Sequence, residues 1–290
     1  MPLRMARYAL LGLLSAAPLS AQTMMTARDL VALPQPAPDT TIWYGADSLQ
    51  FGELFRARGS GRAPVVVLIH GGCWLAAFDR RHIRSLAGAI AAEGIAVWSL
   101  EYRRVGNPGG GWPGSFDDIG AGTDYVRQLA PAFGLDTGRV IVAGHSAGGH
   151  FALWTGVRAK QSSGALRPTA ILALAAVPDL AWARPDGTQI CGDAIPRLMG
   201  GTAAEFPDRY RDASPGRRLP LGITQAILTG ANDQIVPPEL SRTYAAAARA
   251  GGDQVRLIEV PAAGHFEVVA PNTAAGREVL AILRAMARSP

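Results

Sequence analysis

Charge, cysteine and long apolar runs are all scarce in this chain. Only 18% of the 290 residues are charged against 48% hydrophobic, with 34 glycines. A disordered or coiled-coil chain needs the opposite balance, so a compact globular protein is implied. The two cysteines, Cys73 and Cys191, form no CxxC pair and no Cys/His cluster at metal-ligand spacing, so no metal site is expected. Basic residues are scattered, as at Arg80, Arg81 and Arg84 or Arg217 and Arg218, rather than gathered with aromatics, so no nucleic-acid partner is expected. The glycine-rich GNPGGG at residues 106–111 lacks the lysine of a phosphate-binding loop. There is no internal repeat and no interdomain linker, and nothing in the sequence sets an oligomeric state.

The first residues, MPLRMARYALLGLLSAAPLSA, carry Arg4 and Arg7, an apolar run from Tyr8 to Leu14 and a small-residue finish at Ala21. That run falls far short of the ~20 residues a membrane span needs. It reads as a signal peptide over residues 1–21, with no lipid-accepting cysteine behind the cleavage point. The expected location is therefore exported, periplasmic or secreted, with no stable membrane anchor after cleavage. Losing the leader takes the formal net charge from +5 to +3, since no acidic residue leaves with it. In an oxidising compartment Cys73 and Cys191 either close a disulfide, worth ~2 to 4 kcal/mol, or stay as separate buried thiols.

Prolines 34, 36 and 38 predict an extended N-terminal arm over residues 22–41, with the catalytic domain spanning 42–290. From there strands and helices alternate. Strands are expected at Phe51–Arg56, Val65–His70, Ile95–Tyr102, Arg139–Gly144, Ala170–Val177, Gln225–Gly230 and Gln254–Val260. Helices fall at Arg80–Glu93, Ser115–Ala130, Ala147–Ala159, Pro238–Ala250 and Thr273–Ala287. Unbroken apolar runs of four to eight suit strands covered on both faces, so the fold class is α/β, a mostly parallel doubly wound sheet flanked by helices. Residues 178–224 read as an excursion over the sheet edge.

GHSAG at residues 144–148 fits GxSxG where a strand gives way to a helix. A side chain thrust out on such a turn strains its own backbone, and the residues two before and two after must be tiny for strand and helix to approach. A hydroxyl needs a base, and the base needs a carboxylate to orient it. Asp233 follows the strand ending at Gly230, and His265 follows the strand ending at Val260, both at carboxyl ends where open α/β sheets place their sites. Ser146, Asp233 and His265 are the candidate catalytic residues. His145 and His150 read as mere neighbours of the serine, and His82 as a solvated helix residue. For the developing oxyanion, Gly71, Gly72 and Cys73 after the strand ending at His70, together with Ala147, are the candidate backbone donors. Trp74 and Trp112 are candidates for substrate stacking or for plain loop packing. Asp117 and Asp118 are expected to cap a helix, and Glu101 to pair with Arg103.

HGGCW, GHSAGG, GANDQIVP and GH together resemble the α/β-hydrolase fold of esterases and lipases, and HGGCW resembles the HGGxW variant of arylformamidases and of carboxylesterases allied to the hormone-sensitive-lipase group. The resemblance runs from about Phe51 to the C-terminus. It implies a serine hydrolase of small carboxylic esters, working through an acyl-enzyme with no cofactor; with the leader, an exported one is expected. An amide or formamide hydrolase of the arylformamidase type is the alternative, and a binding protein on a lapsed hydrolase scaffold the more remote one. Where relatives carry YRLAPE this chain reads EYRRVGNPGGGWPGSFDD, and the short run before Phe51 leaves no room for a large cap. An open site is expected, roofed by residues 109–112 and the 178–224 excursion.

Overall fold

Val65, Val67 and Ile69 enter one hydrophobic core while Val66 and Leu68 enter another. Successive strand residues face opposite sides, so a run apolar at every position can be satisfied only between two layers. This strand, β3 (Ala63–Ile69), lies inside an eight-stranded sheet with β1 (Thr40–Trp43), β2 (Phe51–Phe55), β4 (Ala96–Leu100), β5 (Leu135–His145), β6 (Ala170–Leu174), β7 (Thr224–Gly230) and β8 (Val255–Val260). The order is β1-β2-β4-β3-β5-β6-β7-β8. The β1–β2 and β2–β4 pairs are antiparallel, and all pairs from β4 across to β8 are parallel. The structure, a computed structural model, describes residues 23–59 and 61–288. The leader expected over residues 1–21 lies outside the described residues.

Helices α2 (Arg81–Ala92) and α9 (Ala274–Arg288) cover one face, α3 (Gly114–Asp124), α5 (Ala147–Gln161) and α8 (Pro238–Ala250) the other. The single helix expected over Ser115–Ala130 is instead two, α3 and α4 (Val126–Phe133). At the joint, the Trp98 indole N–H donates to the Gly122 carbonyl at 2.9 Å, claiming an acceptor that a continuous helix would use itself. Among the described residues no helix is long and apolar enough to cross a membrane.

The arm is not merely extended. Residues Ala27–Ala32 form a short helix, α1, and the first strand starts at Thr40. Thr26 and Asp29 make a reciprocal capping box, and Leu30 is wholly buried in the core that α2 shares. Beyond it residues 34–38 form no regular element, and Pro36 lies against Gly88 of α2; a Cβ on that glycine would sit 2.3 Å from the ring.

The excursion between β6 and β7 carries α6 (Ala194–Met199) and α7 (Pro207–Ala213). A disulfide between Cys73 and Cys191, Cα atoms 5.7 Å apart, ties it to the loop after β3. Asp118 does not cap a helix; it is fully buried and binds the Arg103 guanidinium at 2.6 Å. Glu101 pairs not with Arg103 but with Arg104 at 3.0 Å, Arg80 and His70. Burial opposes ionisation of Glu101, but His70 and Arg104 hold its carboxyl below the usual range.

Candidate active site

Ser146 sits between β5 and α5 with φ 56° and ψ −118°, a left-handed conformation that side chains rarely adopt. Close approach on both sides enforces it. A Cβ on Gly144 would lie 2.1 Å from the Gly148 carbonyl, and one on Gly148 2.1 Å from that of Ile69. The Ser146 N–H donates to the Leu174 carbonyl at 2.8 Å, fastening the turn to the neighbouring strand.

Asp233 follows β7 and is almost wholly buried. One carboxylate oxygen accepts the N–H groups of Ile235 and Val236, both at 2.8 Å, which fixes its rotamer. The other faces Nδ1 of His265 at 2.7 Å. With the proton on Nδ1, Nε2 is the nitrogen left free to accept another. Ser146 and His265 line one cavity of about 470 Å³.

Gly72 (φ 107°), Cys73 (φ 52°) and Trp74 (φ 57°) make three successive left-handed residues after β3. Gly72 and Cys73 line the cavity beside Ser146. Ala147 opens α5, where unpaired N–H groups and the positive end of the helix dipole favour an anion. Gly71 belongs elsewhere, a correction to the expected set of oxyanion donors. Its N–H points to Nε2 of His82 at 3.4 Å, and it serves by its smallness: a Cβ there would lie 2.7 Å from the His145 carbonyl and 3.0 Å from the Ser146 Cβ.

Neither tryptophan lines the cavity. The left-handed turn carries Trp74 inward, where it is fully buried and its indole N–H donates to Nδ1 of His150 at 3.3 Å. Trp112 packs edge-on against Phe116 at 4.9 Å, and its backbone N–H donates to the Leu198 carbonyl. Packing, not substrate stacking, is what their surroundings show. The expected roof is also absent from the cavity wall, because residues 109–112 and the excursion pack over α3 and α5 instead.

The wall comes from segments the sequence reading passed over. Ala27, Arg28 and Val31 of α1 line the cavity together with Phe78, Ile235 and Phe266. Val31 and Phe78 are each 45% exposed and Ile235 36%. The T-x-x-D capping signature at Thr26–Asp29 was the one signal that announced α1.

His82 lines the cavity too, half-buried rather than solvated. Its Nδ1–H donates to the Asp79 carbonyl at 3.0 Å, leaving Nε2 to face the Gly71 N–H and, at 3.4 Å, Nδ1 of His145. His145 is more than a neighbour of the serine: its Nε2–H donates to the backbone carbonyl of His265 at 2.9 Å. Burial, aided by nearby histidines, pushes His82 down to about 4 and His145 well below its ordinary value, so both rings are neutral near pH 7.

A serine on a strained strand-to-helix turn, at the carboxyl edge of this sheet, places the chain among the α/β-hydrolases. More narrowly, it belongs to the BD-FAE family, whose model matches residues 54–247. Esterase LipC of Mycobacterium tuberculosis is 26% identical over 253 residues, covering 77% of this chain and 58% of that protein. Esterase LipQ of the same organism is 28% identical over 224 residues, covering 72% and 52%. The chain thus spans little more than half the length of these relatives. Among solved structures, a bacterial heroin esterase superposes with a TM-score of 0.70 at 23% identity, over 86% of this chain and 84% of that one. A truncated carbohydrate esterase from gut microbiota superposes with a TM-score of 0.75 at 19% identity, over 87% and 98%. At such identities the likeness concerns the fold.

Proposed function

We propose that this protein is an exported serine hydrolase of small carboxylic esters. The observation that carries the reading is the 2.7 Å contact between His265 Nδ1 and Asp233, with the imidazole on the same cavity as the strained Ser146. His265 Nε2 takes the Ser146 hydroxyl proton as Oγ adds to the ester carbonyl. The N–H groups of Gly72, Cys73 and Ala147 hold the oxyanion; each such donor is worth about 3 to 4 kcal/mol. Collapse passes the proton from His265 to the departing alcohol. Water, deprotonated by the same imidazole, then cleaves the acyl-enzyme and returns Ser146 to its hydroxyl form.

Export is supported by the leader-like residues 1–21 and by the Cys73–Cys191 disulfide, a bond that persists in oxidising compartments. Cell fractionation with N-terminal sequencing should find the protein outside the cytoplasm and beginning at Gln22; a product confined to the cytoplasm and starting at Met1 overturns the export reading.

A fluorophosphonate should label the protein stoichiometrically on Ser146, and Ser146→Ala should abolish labelling and lower kcat/KM for ethyl acetate by about 10⁴-fold or more. Its melting temperature should stay within a degree or two of the wild type. Ester hydrolysis persisting in Ser146→Ala removes the nucleophile assignment.

A further inference from the structure

We propose that α1 is a specificity element of the active site, its Val31 forming the wall that seats a bulky apolar substituent of the ester. This deepens the proposed esterase reading and depends on it. A six-residue helix is far too short to persist alone in water. Three fastenings hold this one. The Thr26–Asp29 capping box closes its first turn. Leu30 is sunk, fully buried, into the core beneath α2. Just upstream, the Met25 N–H donates to the buried carboxylate of Glu267, whose other oxygen accepts the Gly264 N–H at 2.9 Å, next to His265. One carboxylate therefore clips the N-terminal segment to the loop that carries the candidate base.

Besides the Arg28 side chain, what this anchored helix presents to the cavity is apolar. Ala27 and Val31 line the cavity together with Phe78, Ile235 and Phe266, and Val31 remains 45% exposed although Leu30 beside it is fully buried. Of the four large hydrophobic side chains most exposed among the described residues, Val31, Phe78 and Ile235 line this one cavity; Trp43 lies elsewhere. Exposed apolar surface gathered beside a nucleophile marks where an apolar part of the substrate is withdrawn from water. Each methylene so withdrawn is worth about fourfold in binding. The wall therefore favours esters with a medium-chain or aromatic substituent over ethyl acetate.

The test compares kcat/KM for ethyl hexanoate and for hexyl acetate, each as a ratio to ethyl acetate, in the full-length wild type, Val31→Trp, Val31→Asp and the distant control Trp43→Ala. Val31→Trp fills the seat and should lower at least one ratio tenfold or more, roughly the worth of two lost methylenes. Val31→Asp should move the same ratio in the same direction by placing a charge on the wall, and Trp43→Ala should leave both ratios unchanged. Both ratios staying within twofold of wild type in the two Val31 variants overturns the role of α1. Fluorophosphonate labelling separates the two levels: variants that label like wild type without a selectivity change sink the wall alone, whereas an unlabelled wild type sinks the esterase reading with it.

Discussion

The floor and the wall of the cavity are built in opposite ways. On the floor, Ser146, Asp233 and His265 hang from the carboxyl ends of β5, β7 and β8, and the serine turn is clamped by backbone atoms so close that a single Cβ at Gly144 or Gly148 would reach within 2.1 Å of a carbonyl oxygen. On the wall, Val31, Phe78 and Ile235 expose a third or more of their surface, and α1 stays in place through a cap, one buried leucine and one carboxylate. On the proposed reading, chemistry depends on positions the sheet dictates. Selectivity would then depend on side chains that can change without disturbing the sheet, which is how a single fold comes to serve many substrates.

The harshest way to break that contrast is to add one methyl group to the floor. In Gly148→Ala the new Cβ meets the Ile69 carbonyl at 2.1 Å and the His70 carbonyl at 2.5 Å, both fixed backbone atoms. Such overpacking should cost about 3 kcal/mol or more in a denaturant melt and take the activity with it. The far larger Val31→Trp should shift the same melt by under about 1 kcal/mol, because Val31 is half out in solvent. Comparable losses in the two variants would erase the distinction between floor and wall.

The same distinction explains what could be read in advance. The floor was legible because glycine spacing, strand order and the carboxyl-end rule each follow from local chemistry, and they singled out Ser146, Asp233 and His265, which the fold brings together. Gly71 was misread because HGG gives no hint of which N–H turns outward; the Gly71 N–H meets His82 Nε2, and the left-handed residues follow only from Gly72. For Trp74 the sequence left stacking and packing open, and the left-handed turn that sends its ring into the core decides for packing. The wall was largely illegible. Residues 27, 31, 78, 235 and 266 meet only through tertiary packing, and the prolines at 34, 36 and 38 masked a helix held by its capping box, Leu30 and Glu267.

Between floor and wall lie His82 and His145, and acid should find them. Their charged forms are disfavoured in the folded chain, with His82 at about 4 and His145 well below its ordinary 6.5. The unfolded chain therefore binds protons first as pH falls below 6.5. Stability is fully present above that value and drains away between 6.5 and about 4, by up to about 1.4 kcal/mol per pH unit for each ring. Denaturant melts from pH 7 to 4.5 should show the decline, and His82→Gln should make it shallower. A wild-type profile flat over that range would mean the rings accept protons where they stand.

Glu267 touches both regions, so a small change there reports how tightly they are joined. In Glu267→Gln only one of the two side-chain atoms can still accept, and one N–H loses its partner at a cost of about 1 to 2 kcal/mol. Gly264 lies three residues away in the same turn and Met25 lies 242 residues away, so the remaining amide oxygen should stay with Gly264. The loss then falls on α1. The ethyl hexanoate to ethyl acetate ratio should drop about threefold through KM, with kcat for ethyl acetate nearly unchanged. Had the bond to Gly264 been the one to fail, the His265 loop would shift and kcat would fall on every ester alike. The split between KM and kcat therefore says whether this carboxylate serves the wall or the floor.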